Sequence, residues 1–291
     1  MRKTRDVLQR LLKLLHALRQ PRESDDADKA EWLITRRLCE KRTMSRELEQ
    51  YANTYGALEG FIMPQTTAIW DFLLTQQRNL GIVGDFLEIG VLKGKSALLA
   101  ALYLQLGELA LLVDVNEMDS VRDEIARLSI ESRAFRGKSS ALKMSEQFSD
   151  RVGKVRWLHI DGGHSGYSTY NDLCLAEEFI SDLGIICADD FFNPRYPQLT
   201  GAIFRFLFDR LFSFKMVLCG MNKCYIVHSE AYPLYEDLIR KHMAEHIRAT
   251  GFSLTISKTG FAHDMGCFSV GPRIESFDYI GPDDDLTNVV F

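Results

Sequence analysis

The chain has 291 residues, 46% of them hydrophobic, enough for one sizeable core with or without a small appendage. Lys and Arg number 35 against 40 Asp and Glu, so the formal net charge is −5 and a general nucleic-acid surface is not expected. No apolar run reaches the length of a membrane span, and Cys39, Cys174, Cys187, Cys219, Cys224 and Cys267 show no paired zinc spacing. Reduced, buried thiols in a cytoplasmic protein are the expectation.

Residues 1–22 carry Val7, Leu8, Leu11, Leu12, Leu15 and Leu18 at helical spacing, flanked by Arg2, Lys3, Arg5, Arg10, Lys13 and Arg19. Such a basic amphipathic helix can lie on a membrane surface or act as a targeting peptide. The favoured reading is a surface helix that packs on its own domain or on a second copy of the chain, the latter giving a homo-oligomer. Residues 20–29 read as a linker, and 30–80 as helical with a break around 56–64. The expected organisation is a helical extension over 1–80, a ligand-binding domain over 81–228, and a helix-and-strand extension over 229–291.

From Gly84 the pattern alternates. Strands are expected over 85–90, 109–113, 133–136, 155–160 and 185–188, with helices over 96–106, 118–128, 168–180 and 201–212. This alternation predicts a parallel sheet covered by helices on both faces. Residues 216–219 and 224–227 are joined by only four residues, so they form a hairpin rather than a crossover. A helix over 232–250 and one or two further strands complete the chain. Ligands of open α/β sheets sit beyond the carboxyl ends of the strands. Those ends carry Glu88, Asp114, Asp161 and the pair Asp189-Asp190, so the acids are expected to line one crevice.

The loop "EIGVLKGKS" (88–96) follows the first strand. It lacks the third glycine of a dinucleotide fingerprint. Its "GKS" ending imitates a P-loop, but three residues rather than four separate Gly90 from Gly94, and Glu88 would repel a triphosphate. An acid followed by Gly-x-x-x-Gly instead matches motif I of class I S-adenosylmethionine (SAM) methyltransferases, whose glycines let the backbone approach the ligand closely. An acid suits the cationic SAM. Asp114, ending the second strand, can accept hydrogen bonds from both ribose hydroxyls, with helix capping as its structural alternative.

Further along, "GDFLEIGVLKGKSALLA" (84–100), "LLVDV" (111–115), "GKS" (137–139), "HIDGGHSGYSTYNDL" (159–173), "GIICADDFFNP" (184–194) and "GAIFRFL" (201–207) resemble one group. It is the SAM-dependent O-methyltransferases of the macrocin, cephalosporin and aminocoumarin type, together with bacterial relatives whose fourth strand reads "IDG-x-H". The resemblance spans about half the chain, 84–228, and "IDGGH" followed by "ADDF" is its most specific part. It implies a Rossmann-like class I sheet closed by an antiparallel hairpin. It further implies SAM bound by Glu88, Gly90, Gly94, Ser96 and Asp114, with Ser139 near the adenine. Asp161, Asp189 and Asp190 fall on positions that hold a divalent cation, usually magnesium; hard carboxylate oxygens suit one independently. Such a cation makes an acceptor hydroxyl more acidic.

One departure stands out. Where the macrocin and aminocoumarin type carries an aspartate thought to be the base, this chain has Gly163. His164 beside it is expected to take the proton, with orientation of Asp161 as the alternative. His159 is expected to be a core or supporting residue, and His242 to His246, which matches H-x-x-E-H, a chance match on a solvated helix. The expected activity is O-methylation of a small molecule or glycan. The alternatives are a nucleotide-binding phosphotransferase and a non-catalytic assembly protein. The stretch "FFNPRYPQLTG" (191–201) is expected to wall the acceptor pocket, with Phe191, Phe192 and Tyr196 able to stack on a ring.

Overall fold

The computed structural model describes residues 44–142, 146–259, 266–272 and 286–287, all within one compact unit. The basic helix expected over 1–22, the linker after it and Cys39 lie outside the described residues. Among the described residues two helices come first: α1 (Arg46–Tyr55), capped by the Ser45 hydroxyl, and α2 (Pro64–Asn79), which starts with proline where no backbone donor is needed.

The alternating region then gives β1 (Asp85–Ile89), α3 (Lys95–Ala101), β2 (Leu109–Asp114), α4 (Asp119–Arg127), β3 (Glu131–Arg136) and a single turn α5 (Ser139–Leu142). After it come β4 (Val155–Ile160), α6 (Gly166–Phe179), β5 (Ile180–Asp189) and α7 (Pro197–Asp209). The strands β6 (Phe214–Gly220) and β7 (Lys223–His228) form the hairpin. Beyond them lie α8 (Tyr232–Leu238), a π turn (Ile239–Met243), α9 (Ala244–Ala249) and three strands, β8 (Leu254–Thr259), β9 (Phe268–Pro272) and β10 (Leu286–Thr287).

The ten strands among the described residues join one sheet in the order β10-β8-β9-β6-β7-β5-β4-β1-β2-β3. The pairs β3/β2, β2/β1, β1/β4 and β4/β5 are parallel, and β7 runs antiparallel to both β5 and β6. This is the Rossmann-like class I layout. Every residue of β1, β2 and β4 is buried, as expected of central strands covered on both faces. The pleat sends alternate side chains to two separate cores. Phe86, Trp157, Cys187 and Tyr225 face Trp70 and Phe72 of α2, whereas Leu87, Leu158, Ile186 and Ile226 face Leu173 of α6 and Phe206 of α7.

Several boundaries differ from expectation. The helix after motif I stops at Ala101, five residues early, in turns closed by Tyr103 N–H to Ala100 and Leu104 N–H to Ala101. Helix α6 starts two residues early because Ser165 and Ser168 form a reciprocal capping box. The hairpin has a two-residue turn, Met221-Asn222, with φ of 51° and 67°, so Gly220 and Lys223 belong to the strands. The tail supplies three strands rather than one or two. The π turn displaces the helical register between His242 and His246; His246 instead bonds Asp71 at 2.8 Å, Nε2 to Oδ2.

The direction of chain travel reverses between β1 and β4, since β2 and β3 add on one side and β5 on the other. The crevice opens at the carboxyl ends of these two strands.

Candidate active site

At the crevice, β1 and β4 approach so closely that a side chain between them is impossible. Asp161 N–H donates to Ile89 O at 2.8 Å, and a Cβ on Gly90 (φ 90°) would stand 1.9 Å from the Asp161 carbonyl oxygen. At Gly94 (φ 78°) a Cβ would meet Val121 of α4 at 2.6 Å, so this glycine seats the loop on its neighbouring helix. Asp114 holds the loop from the other side. Its Oδ2 accepts the Val91 and Leu92 N–H groups, both at 2.8 Å, and its Oδ1 accepts Asn116 N–H at 2.8 Å and Asn116 Nδ2 at 3.0 Å.

Glu88 lies behind this loop, fully buried. Its Oε1 accepts Ser96 Oγ at 2.5 Å and sits 2.6 Å from His159 Nδ1, while Oε2 has no partner. Burial raises the Glu88 pKa well above the carboxylate range, and burial followed by the Lys223 charge lowers that of His159.

The acids at the ends of β4 and β5 form the opposite wall. Asp161 is pushed up to about 8, first by burial and then by the charge of Asp189. Asp189 Oδ1 accepts the Asp190 N–H at 2.7 Å, and its Oδ2 accepts a hydrogen bond from the Lys223 ammonium. Asp190, at φ 58°, turns its carboxylate towards Asn193 Nδ2 (2.6 Å), Asn222 Nδ2 (2.9 Å) and His164 Nε2 (3.0 Å). The His164 ring stacks on Tyr196 with centroids 4.3 Å apart.

Between these walls runs a cavity of about 870 Å³. Gly90, Asp114, Ser139, Asp161, His164, Asp189 and Asp190 all line it, so the fold gathers these expected residues in one place. Glu88, Gly94 and Ser96 do not line it; they support the loop from behind. The expected aromatic wall is only partly present. Tyr196 lines the cavity, but Phe191 is 3% exposed and packs inward on Phe204, and Phe192, exposed, does not line it. Phe61, from the connection between α1 and α2, contributes to the wall instead.

Other residues of the site were not anticipated. Asp172 of α6 accepts a hydrogen bond from the Ser139 hydroxyl, and burial pushes its carboxyl up to about 6. Lys223, 3% exposed, reaches the acids from the first position of β7. Its one sequence signal was a lysine beginning an otherwise apolar strand directly after a turn.

The donors suit a small hard cation: ligand atoms of Asp161, His164 and Asp190 lie within 4.8 Å of one another, and the crowded carboxylates carry excess negative charge. The glycine-built approach of β1 to β4 likewise suits a ligand lying close against backbone.

Residues 87–191 match the family model described as a methyltransferase domain. A search of curated proteins found no match. Among solved structures, the MycE methyltransferase of the mycinamycin biosynthetic pathway, in complex with Mg and SAH, is similar at 12% identity and a TM-score of 0.50, covering 63% of this chain and 55% of its own. The O-methyltransferase NovP aligns at 14% identity, TM-score 0.46, over 56% of this chain and 79% of its own. An O-methyltransferase from Bacillus cereus in complex with SAH aligns at 18% identity, TM-score 0.41, over 68% and 94%. Strand order, motif I loop and family match agree: residues 87–191 are a methyltransferase domain built on the class I sheet.

Proposed function

We propose that the chain is a divalent-cation-assisted O-methyltransferase that transfers a methyl group from SAM to a hydroxyl of a small molecule or glycan. The observation that carries this reading is the cavity itself, with the glycine loop and Asp114 on one wall and Asp161, His164 and Asp190 on the other. The catalytic domain is assigned to 81–228, between extensions over 1–80 and 229–291.

SAM supplies an electrophilic methyl group on a sulfonium. The 90–94 loop, braced by Asp114, positions it, and Ser139 with Asp172 shapes the other end of the cavity. A divalent cation, which MycE is recorded to bind, would be held by carboxylates at the ends of β4 and β5 and would polarise the acceptor hydroxyl. His164 then takes the hydroxyl proton. SAM held there would supply its methyl carbon to the acceptor oxygen, with the carbon–sulfur electron pair retained on a neutral thioether as leaving group. Tyr196 holds the His164 ring by stacking, and Gln198 Nε2 holds its backbone carbonyl at 2.8 Å. Alignment of oxygen, carbon and sulfur is the chief service the cavity provides.

Calorimetry with SAM and S-adenosylhomocysteine tests the first half: both should bind, and ATP should not. Binding of ATP alone would favour a phosphotransferase, and binding of none an assembly protein. Methyl transfer to a panel of hydroxylated acceptors tests the second half. His164→Ala should lower kcat at least about tenfold while SAM affinity stays within about threefold.

A further inference from the structure

The acid wall contains two overlapping clusters of ligand atoms. One is His159, Asp161 and Asp189; the other is Asp161, His164 and Asp190. They differ in what fills them. Register places Lys223 directly opposite Asp189 on the neighbouring antiparallel strand. Its ammonium donates to Asp189 Oδ2, lies 3.1 Å from His159 Nε2 and sits 5.8 Å from the Trp70 ring. An ammonium has only donors, so His159 must accept at Nε2 and carry its proton on Nδ1, where Glu88 receives it at 2.6 Å. The support therefore runs from Ser96 through Glu88 and His159 to Lys223 and Asp189, and all but Ser96 are nine-tenths or more buried.

Both oxygens of Asp189 are engaged: Oδ2 by Lys223, and Oδ1 by the Asp190 N–H at 2.7 Å and Asn222 Nδ2 at 3.3 Å. Asp190 is held by neutral amides rather than by a lysine: Asn193 and Asn222 donate to its Oδ1, and its Oδ2 turns towards His164 at the cavity wall.

We propose that Lys223 is a positioning residue that acts as the fixed cation of the inner cluster. It withdraws Asp189 from the donors available to a divalent metal and leaves Asp161 and Asp190 as the two carboxylates that hold the metal. This rests on the metal-assisted reading above, and departs from the resemblance, which implied all three aspartates as ligands. Two carboxylates suffice for magnesium, which keeps several of its positions for water and substrate. With the inner position taken, the metal is confined to the cavity side, where acceptor and His164 meet it. Asp189 serves as the anchor that holds Lys223 and the 189–190 turn in register.

The test uses Mn²⁺ as probe, with binding followed by electron paramagnetic resonance and calorimetry on the full chain. Asp161→Asn and Asp190→Asn should each weaken Mn²⁺ at least tenfold. The decisive variant is the double substitution Lys223→Met with Asp189→Asn, which removes one charge of each sign and frees only the His159 Nε2 acceptor. Its Mn²⁺ affinity should stay within threefold of the wild type. A tenfold loss would make Asp189 a ligand and overturn the proposal. Lys223→Met alone should bind Mn²⁺ at least threefold more tightly, because a free carboxylate replaces an ion pair. Unchanged or weaker binding in this variant, folded by near-ultraviolet circular dichroism, counts equally against the proposal and decides the matter if the double variant does not fold. If the wild type binds SAM but no Mn²⁺, this proposal falls together with the metal-assisted reading. Loss confined to the double variant removes this proposal alone.

Discussion

The two ends of β4 bury charge in opposite ways. At its start, Arg156 is fully buried and grips Glu108 with two bonds of 3.0 Å; it also donates to Gln77 Oε1 and Tyr103 O, both at 2.9 Å. Glu108 accepts in turn from Gly84 N–H at 2.8 Å and Gln105 N–H at 2.7 Å. Charge there is balanced, and both partners bond on all sides. At the other end, Asp161 meets Asp189 and Asp190 with the single ammonium of Lys223 among them. A satisfied buried pair staples strands together and leaves nothing for a ligand. A crowd of carboxylates around one lysine is a surplus that a ligand can relieve. The same strand thus has a structural end and a chemical end, and the balance of charge tells them apart.

The largest expected effect breaks the structural end. Glu108→Ala strands a buried guanidinium, so it should destabilise the chain by about 3–5 kcal/mol in denaturant unfolding. Any remaining folded protein should bind SAM as before. If stability changed little, the contrast between the ends would have to be abandoned.

A smaller effect is expected at the loop. Asp114→Ala releases the Val91 and Leu92 N–H groups, a cost of about 1–3 kcal/mol for donors left without a partner. The loss should appear in SAM affinity as a fall of at least about tenfold by calorimetry. Wild-type affinity in this variant would show that the loop holds its shape without the carboxylate.

The smallest effect is a pH dependence at the chemical end. The folded-state pKa of Asp161 is raised to about 8, above the unfolded value near about 3.9, so the folded chain binds more protons between them. Stability contributed by the protonated carboxyl is therefore present below pH of about 4 and is lost as pH rises towards about 8. Without divalent metal, the wild-type Tm should fall over that window by on the order of a few degrees more than that of Asp161→Asn. Added Mg²⁺ at pH 8 should recover the difference in the wild type only. Parallel curves for the two proteins would mean that Asp161 carries no such strain.

Much of this architecture was legible beforehand because it depends on local pattern. The run 109–113 is apolar on both faces and 155–160 is apolar at four of its six positions, which belongs to central parallel strands, and each ends in an acid just where the backbone leaves the sheet. Gly90, Asp114, Ser139, Asp161, His164, Asp189 and Asp190 meet at one cavity for that reason. The inward turn of Phe191 was not legible, because nothing local separates it from Phe192; burial in the core with Ile203 and Phe206 of α7 decides it.

Sequence by itself determined the strands between 85 and 228, their acidic ends and the glycine that lets β1 and β4 touch, since each follows from side-chain period or from the absence of a Cβ. Tertiary structure alone decided which charges neutralise one another. Lys223 lies 34 residues beyond Asp189 and faces it only because a two-residue turn sets the register of β7. Register arises from hydrogen-bond pairing between distant segments. One residue more in that turn would move the ammonium to the opposite face of the sheet and leave Asp189 free.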